Sequence, residues 1–554
     1  MLNYINKFIP ILLVLLLILA ACSSGDNEQK NNNADSQENK KVVNISAPGV
    51  IPSLSPTIAD NDFSFTIINQ VFEGLYRLNK EGEPELALAA EEPKVSENNK
   101  VYTFKIRKDA KWSNGTPVTA HDFEYAWKKA VNPETGAAYG PQFEEIVDNA
   151  SEILKGKKPA DSLGVEALDD RTLKVSLENA IPFFKELLTT AIFFPQPQEF
   201  IEKQDGKYAS DSKHTLFNGP FVLADWNGTD QSWTYKKNEK YWDKEAVNVD
   251  EIRVNVVKDT GTAVSLYEEG KLDRVNLTGE YVDKYRSNQD YHTFLTGATS
   301  YIKMNQGKDG NKTNLANLNI RKAMNLALDK DKLVNSILNN GSVVANGNVP
   351  KGLAENPKTG EDFRAENGDL THFDPREAKK HWEKGLNELG KEKLGISLIS
   401  SDSGTSKQLA ENIKYQLEEN LPGLTITIRN LTPKASIAAN VGQNYEMIMT
   451  GWNGDYHDPL TYLNLFITDS PGNHTGYSNK EYDRLVLGAK GSMANDALKR
   501  WNAMLKAERM LIEDSAVLIP LYQDGSAFLQ KNYLKNFVTY KVGADNYKWI
   551  DIEK

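Results

Sequence analysis

Tyr102-Thr-Phe-Lys-Ile-Arg-Lys-Asp-Ala-Lys-Trp-Ser-Asn-Gly-Thr-Pro-Val-Thr-Ala-His-Asp-Phe123 carries three local instructions in succession. Tyr102, Phe104 and Ile106 alternate with Thr103, Lys105 and Arg107, the period-two pattern of a half-buried strand. Ser113-Asn114-Gly115 is turn chemistry. Thr119 then stands as a helix N-cap with Asp122 in the first turn, and Phe123, Ala126, Trp127 and Ala130 fall on one helical face. The same alternation of periods recurs outward along the chain. Leu173, Val175 and Leu177 read as a strand, and Ile320, Ala323, Met324, Ala327 and Leu328 as an amphipathic helix. Leu409, Ile413 and Leu417 mark another helix, followed by the alternating strand Leu424, Ile426, Ile428. Tyr445 to Thr450 is short and mostly apolar, as a buried strand would be. Helices intermixed with strands argue for α/β lobes and leave their number open.

The chain has 554 residues, 40% hydrophobic and 25% charged, which is globular composition and room for about three domains. A formal net charge of -11 lacks the electrostatic footprint of a nucleic-acid binder. One cysteine, Cys22, excludes an intrachain disulfide framework and a cysteine-based zinc site. Nine Trp and 23 Tyr suit a large cleft, although a protein of this size can also bury them in its core.

Residues 1–21 read as a processing signal. Lys7 supplies a weak positive start, and the apolar run Phe8 to Leu19 is shorter than the ~18–20 residues of a spanning helix. Leu19-Ala20-Ala21-Cys22 resembles a bacterial lipobox, which implies that Cys22 is lipidated and becomes the first residue of the mature chain. Residues 22–41 hold almost nothing apolar and read as a flexible tether. The expected location is the extracytoplasmic face of the cell membrane, in a Gram-positive bacterium.

Catalytic signatures are scarce. The sequence has no G-x-S-x-G elbow, no H-E-x-x-H and no G-x-G-x-x-G after a strand. The most suggestive cluster is Gly451-Trp452-Asn453-Gly454-Asp455-Tyr456-His457-Asp458-Pro459, which follows the buried-strand candidate. Residues of this kind at a strand end sit where α/β proteins place ligands. By themselves they fit a structural loop, a metal site through Asp455, His457 and Asp458, or a site for a cationic small ligand.

The stretch from Tyr102 to Phe123 closely resembles the signature of extracellular solute-binding proteins of family 5, the oligopeptide and dipeptide receptors of ABC importers. Further blocks agree in order: Phe72-Glu-Gly-Leu-Tyr76, Asn218-Gly-Pro-Phe221, Asn238 to Trp242, Asn319-Ile-Arg-Lys-Ala323 and Gly451-Trp-Asn-Gly-Asp455. The resemblance covers essentially everything from Val42 onward and is greatest to oligopeptide-binding lipoproteins. It implies an α/β, two-lobed periplasmic-binding-protein-like fold (class II, cluster C) with an extra subdomain on the first lobe and a two-segment hinge. By that analogy lobe I is 42–72, 214–297 and 521–554, the extra subdomain is 73–213, and lobe II is 298–520.

The resemblance also implies a non-catalytic role with no cofactor or metal. Its partners would be oligopeptides and, through the permease, the ATPase subunits of an importer, for a monomeric receptor. A peptide carrier gains specificity from what every peptide shares, and a buried carboxylate should meet the α-ammonium. Asp455 matches the family aspartate in that role, and Gly451, Trp452 and Asn453 accompany it in the cleft. Tyr139 aligns with a ligand-touching tyrosine of the extra subdomain. Asp60, Asn61 and Phe63 align with a ligand-lining loop. The chain departs from Gram-negative receptors where anchors for short peptides' carboxylates would stand: Met449 replaces an arginine, Ser406 a histidine and Pro433 a tryptophan. Lys407 or Lys434 could substitute, although both fit solvent-facing positions better. Two functional classes follow, a receptor feeding peptides to a permease and a sensor or pheromone binder using the same pocket. An exported hydrolase is a distant third.

Overall fold

The structure, a computed structural model, describes residues 40–553 apart from Pro471. The signal at 1–21, Cys22 and the tether as far as residue 39 lie outside the described residues.

The chain enters the fold as strand β1 (Val42–Ala47), whose Val43, Ile45 and Ala47 point into the core. Helix α1 (Asp62–Val71) follows, capped by the Asn61 side chain, which accepts from the Ser64 N–H at 2.9 Å. The stretch that opened the sequence reading forms β2 (Val101–Lys105) and α2 (Ala120–Val131). Thr119 caps α2, and its N–H donates to the Asp122 carboxylate at 2.8 Å. Phe123, Ala126, Trp127 and Ala130 are all buried, and Trp127 Nε1 donates to the Phe193 carbonyl at 2.9 Å. β2 belongs to a four-stranded antiparallel sheet with Lys94–Val95, Thr172–Ser176 and Val165–Asp169.

The remaining architecture turns on a long strand, β3 (Tyr291–Met304). After it come β4 (Leu394–Ser401), α3 (Gly404–Asn420), β5 (Leu424–Leu431), α4 (Pro433–Val441) and β6 (Met447–Trp452). Helix α5 (Ala497–Arg509) and strand β7 (Leu518–Gln530) complete the set. One sheet of eleven strands runs in the order β5, β4, β6, β3, β7, Arg274–Leu277, β1, Glu251–Val256, Ser232–Lys237, Phe221–Ala224, with Val343–Val344 paired to β7 off this path.

β3 and β7 are the antiparallel pair through which the two ends of this sheet connect. The later half of β3, Thr299 to Met304, pairs with β6. The later half of β7, Ala527 to Gln530, pairs with Arg274–Leu277. Between these halves the register breaks: Leu295 lies opposite Gly525, yet Thr299 lies opposite Gln523. The extra residues Thr296, Gly297 and Ala298 form a bulge facing Asp524, which locally twists the strand. Gln523 Nε2 donates to the Thr296 carbonyl at 2.7 Å, and Ser300 Oγ donates to Asp524 at 3.2 Å.

Separate cores dress the sheet. One gathers Ile302, Met304, Leu398, Ile413 and Met447, so the apolar faces of α3, β4 and β6 meet as their periodicity requires. A larger one takes Val43, Ile45, Phe104 and Trp127.

Candidate functional site

β6 ends at Trp452, and the chain turns sharply away from the sheet. Two consecutive hydroxyl side chains on the short helix Leu460–Leu463 hold that turn. The Asp455 N–H donates to Thr461 Oγ1 at 3.0 Å, and Trp452 Nε1 donates to the same oxygen at 3.4 Å. The Gly454 N–H donates to the Tyr462 hydroxyl at 3.0 Å, and that hydroxyl donates in turn to the Gly297 carbonyl in the β3 bulge. Gly454 is required by close approach, since an added Cβ would sit 2.8 Å from the Tyr462 oxygen.

The loop faces a cavity of about 340 Å³. Gly451, Trp452, Asn453 and Asp455 line it from one side, and Tyr139 lines it from the other, with its ring edge-on to Phe65 at 4.9 Å. A second cavity of about 630 Å³ shares Glu186, His457 and Tyr540 with the first, so the space continues past the loop.

Among the described residues Asp455 has no cationic partner. Burial pushes its carboxyl up to about 7, the Asp62 carboxylate adds to this, and the Thr461 hydroxyl opposes it. Burial, together with Asp455, Asp62 and Asp60, pushes the Tyr139 hydroxyl up to about 12. Glu186 is also raised to about 7, chiefly by burial, while it accepts the His457 N–H at 2.6 Å. The lining cations are already engaged. Arg77 meets Glu73 at 3.0 Å, Glu85 at 2.6 Å and Asp243 at 3.2 Å, and Lys548 meets Asp243 as well. The cavity therefore presents ionisable oxygens to whatever fills it.

The loop's other side chains anchor it. Tyr456 stacks on Phe183 with ring centroids 4.1 Å apart and planes within 4°. Asp458 accepts both terminal nitrogens of Arg500 on α5, at 2.6 and 2.8 Å. The Asp455 carboxylate is bonded to Thr461, His457 Nδ1 lies 3.8 Å from a Glu186 oxygen and Asp458 pairs with Arg500, so the three side chains have different partners, and no metal-ligand cluster occurs among the described residues.

The loop before α1 departs from expectation. Asp60, Asn61 and Phe63 do not line the cavity. Asn61 is spent on the helix cap, Asp60 accepts from the Asn61 amide at 2.8 Å, and Phe63 packs near Trp233 at 6.3 Å. Asp62 lines the cavity in their place. Sequence reasoning also missed Glu186, Thr461 and Tyr462. Met449, Ser406, Lys407 and Lys434 are not among the lining residues, and both lysines are exposed in the first turns of α3 and α4.

Residues 83–474 match the family described as bacterial extracellular solute-binding proteins, family 5. The chain belongs to this family. It is 33% identical over 513 residues to the dipeptide-binding protein DppE of Bacillus subtilis, covering 92% of each chain. Among solved structures it is similar to Listeria monocytogenes OppA bound to peptide, with a TM-score of 0.80 and 42% identity over 93% of this chain and 100% of that one. The pheromone receptor PrgZ gives a TM-score of 0.80 and 37% identity over the same shares of the two chains. The fold is accordingly the two-lobed periplasmic-binding-protein architecture of a family of transport-associated binding proteins rather than enzymes.

The side chains of Asp458 and Arg500 are only 13% and 9% exposed. Removing one partner of a buried pair typically costs about 3–5 kcal/mol, because the other charge stays buried. Asp458→Ala is expected to lower the melting temperature clearly in a thermal scan. A melting curve superimposable on the parent's would contradict this reading.

Proposed function

We propose that the protein is the lipid-anchored binding component of a peptide importer, capturing peptides in this cavity and delivering them to a membrane permease. The observation that carries the reading is the Asp455 carboxylate, which lines a cavity with no cation among the described residues to match it. A peptide ammonium supplies that charge through short charge-assisted hydrogen bonds. The exposed backbone at Gly451 and Asn453 suits an added peptide strand, and the continuing space suits side chains packed with water. Family membership and the peptide-bound OppA relative support the same ligand class. The likeness to PrgZ keeps a second reading in view, a pheromone receptor using the same pocket.

The domain division follows as part of this proposal. The bulge at Thr296–Ala298, facing Asp524, is a natural flexing point of the β3–β7 pair. Lobe I then takes in 42–72, 214–297 and the chain after the β7 crossing, with 73–213 as its extra subdomain and 298 onward as lobe II. The second crossing is proposed at the sequence-based boundary 520/521, close to Gln523–Gly525, which face the bulge. The anchor rests on Leu19-Ala20-Ala21-Cys22. Two acyl chains would hold the body at the membrane, each buried methylene contributing about 0.8 kcal/mol. Cys22→Ala is expected to move the protein into the soluble fraction, and a variant that stays membrane-bound in high salt contradicts the anchor.

Asp455→Ala should weaken peptide binding by roughly 10- to 150-fold, the worth of hydrogen bonds to a charged group. N-acetylation should weaken binding to the parent and cost the variant much less, and that non-additivity isolates the pair. The pH dependence has a definite sign. With a folded pKa raised to about 7, the empty protein gains stability from this group below the unfolded value and loses it as pH rises through 7. The ammonium captures the ionised form, so affinity should rise between about pH 5 and 7.5, with proton release, and Asp455→Asn should flatten the rise. Calorimetry in buffers of different ionisation enthalpy reads both effects. Equal binding of free and acetylated peptide by the parent contradicts the assignment.

A further inference from the structure

The cavity holds a second carboxylate that the fold leaves unmatched. Asp62 is the first residue of α1, set there by the Asn61 cap, and it lines the cavity beside Tyr139 and Phe65. Among the described residues its carboxylate has neither an ion pair nor a hydrogen bond. The cations of the same cavity, Arg77 and Lys548, are engaged by Glu73, Glu85 and Asp243.

Asp62 and Asp455 reach this space from opposite sides of the β3–β7 pair. Asp62 follows β1, and Asp455 follows β6 on the far side of the β3–β7 pair. They act on each other and on the same third group: Asp62 raises the Asp455 carboxyl, and both raise the Tyr139 hydroxyl. Two like charges facing one cavity with no cation between them are unfavourable when it is empty. A cation placed between them removes the repulsion. An ammonium has three N–H donors and no acceptor, so one carboxylate does not exhaust it.

We propose that Asp62 is the second anchor of the ligand's amino terminus, so that one ammonium bridges Asp455 from one side of the β3–β7 pair and Asp62 from the other. The inference rests on the peptide-binding reading and extends it. The ammonium then recognises the peptide and also draws together the two parts of the protein that must close on it. Ligands lacking a free amine lose both effects.

The test is a cycle crossing Asp62→Asn with N-acetylation, using tetra-alanine with a free or acetylated amino terminus and calorimetry at neutral pH. Alanine side chains keep any other cation out of the comparison. Asp62 is exposed at a helix start, so the near-isosteric asparagine is compatible with folding, and Asp62→Glu is the conservative variant. The expected result is a loss of roughly three- to tenfold for the free-amine peptide on Asp62→Asn, little change for the acetylated peptide, and partial recovery with Asp62→Glu. Equal losses for both peptides, or no loss for either, overturn the inference while leaving the peptide-binding reading intact. A loss that appears only when the first residue is lysine or arginine overturns it too, because Asp62 would then serve the side chain. If the parent binds neither peptide, the underlying reading fails and this inference with it.

Discussion

The buried hydroxyl of Tyr462 joins the parts of this structure that function requires to act together. It accepts the N–H of Gly454, the residue before Asp455, and donates to the carbonyl of Gly297 in the β3 bulge. The position of the cavity-lining Asp455 is therefore referred directly to the point where the sheet changes register. A tyrosine hydroxyl can donate and accept at once, and a buried one must find partners or lose stability. Gly454 permits the approach because any side chain there would collide with the Tyr462 oxygen.

The site's electrostatics follow from the same economy of partners. Several buried charges in the structure are matched by an opposite charge. Glu508 takes both Arg364 nitrogens and the Asn348 and Val349 N–H groups, and Asp458 takes Arg500. Against that background, carboxylates that face a cavity unmatched stand out, because burying a charge without a partner is costly. Asp455 is held by Thr461 and Tyr462, which fix its backbone and leave its charge uncompensated by any cation. In the proposed function such a group is stabilised by the ligand's ammonium rather than by the fold.

Much of the local structure was legible in the sequence. The strand at Tyr102 and the helix after Thr119 formed as periodicity and capping dictate, and so did α3, β5 and β6. The continuity of one sheet through β3 and β7 was not legible. The bulge at Thr296–Ala298 breaks the alternation of β3 in mid-strand, so no single period spans it. The site was read in part. Asp455, Trp452 and Tyr139 converge, yet the loop before α1 was placed one residue away from its contributor. Asn61 carries a cap signal, and a cap at Asn61 puts Asp62 in the first turn, so that signal was present. The ion pair of Asp458 gave no sequence signal, because its partner Arg500 lies 42 residues later on α5, beyond any local pattern. Glu186 gave no sequence signal, since its role depends on tertiary contact with His457.

The central claim is that ligand joins two parts of the protein which flex about the β3–β7 pair. Small-angle X-ray scattering on the soluble body, with and without a saturating peptide that has a free amino terminus, tests it most directly. The account predicts a smaller radius of gyration with peptide, as the parts on either side of the β3–β7 pair close on the ligand. Superimposable scattering curves at demonstrated saturation would contradict it.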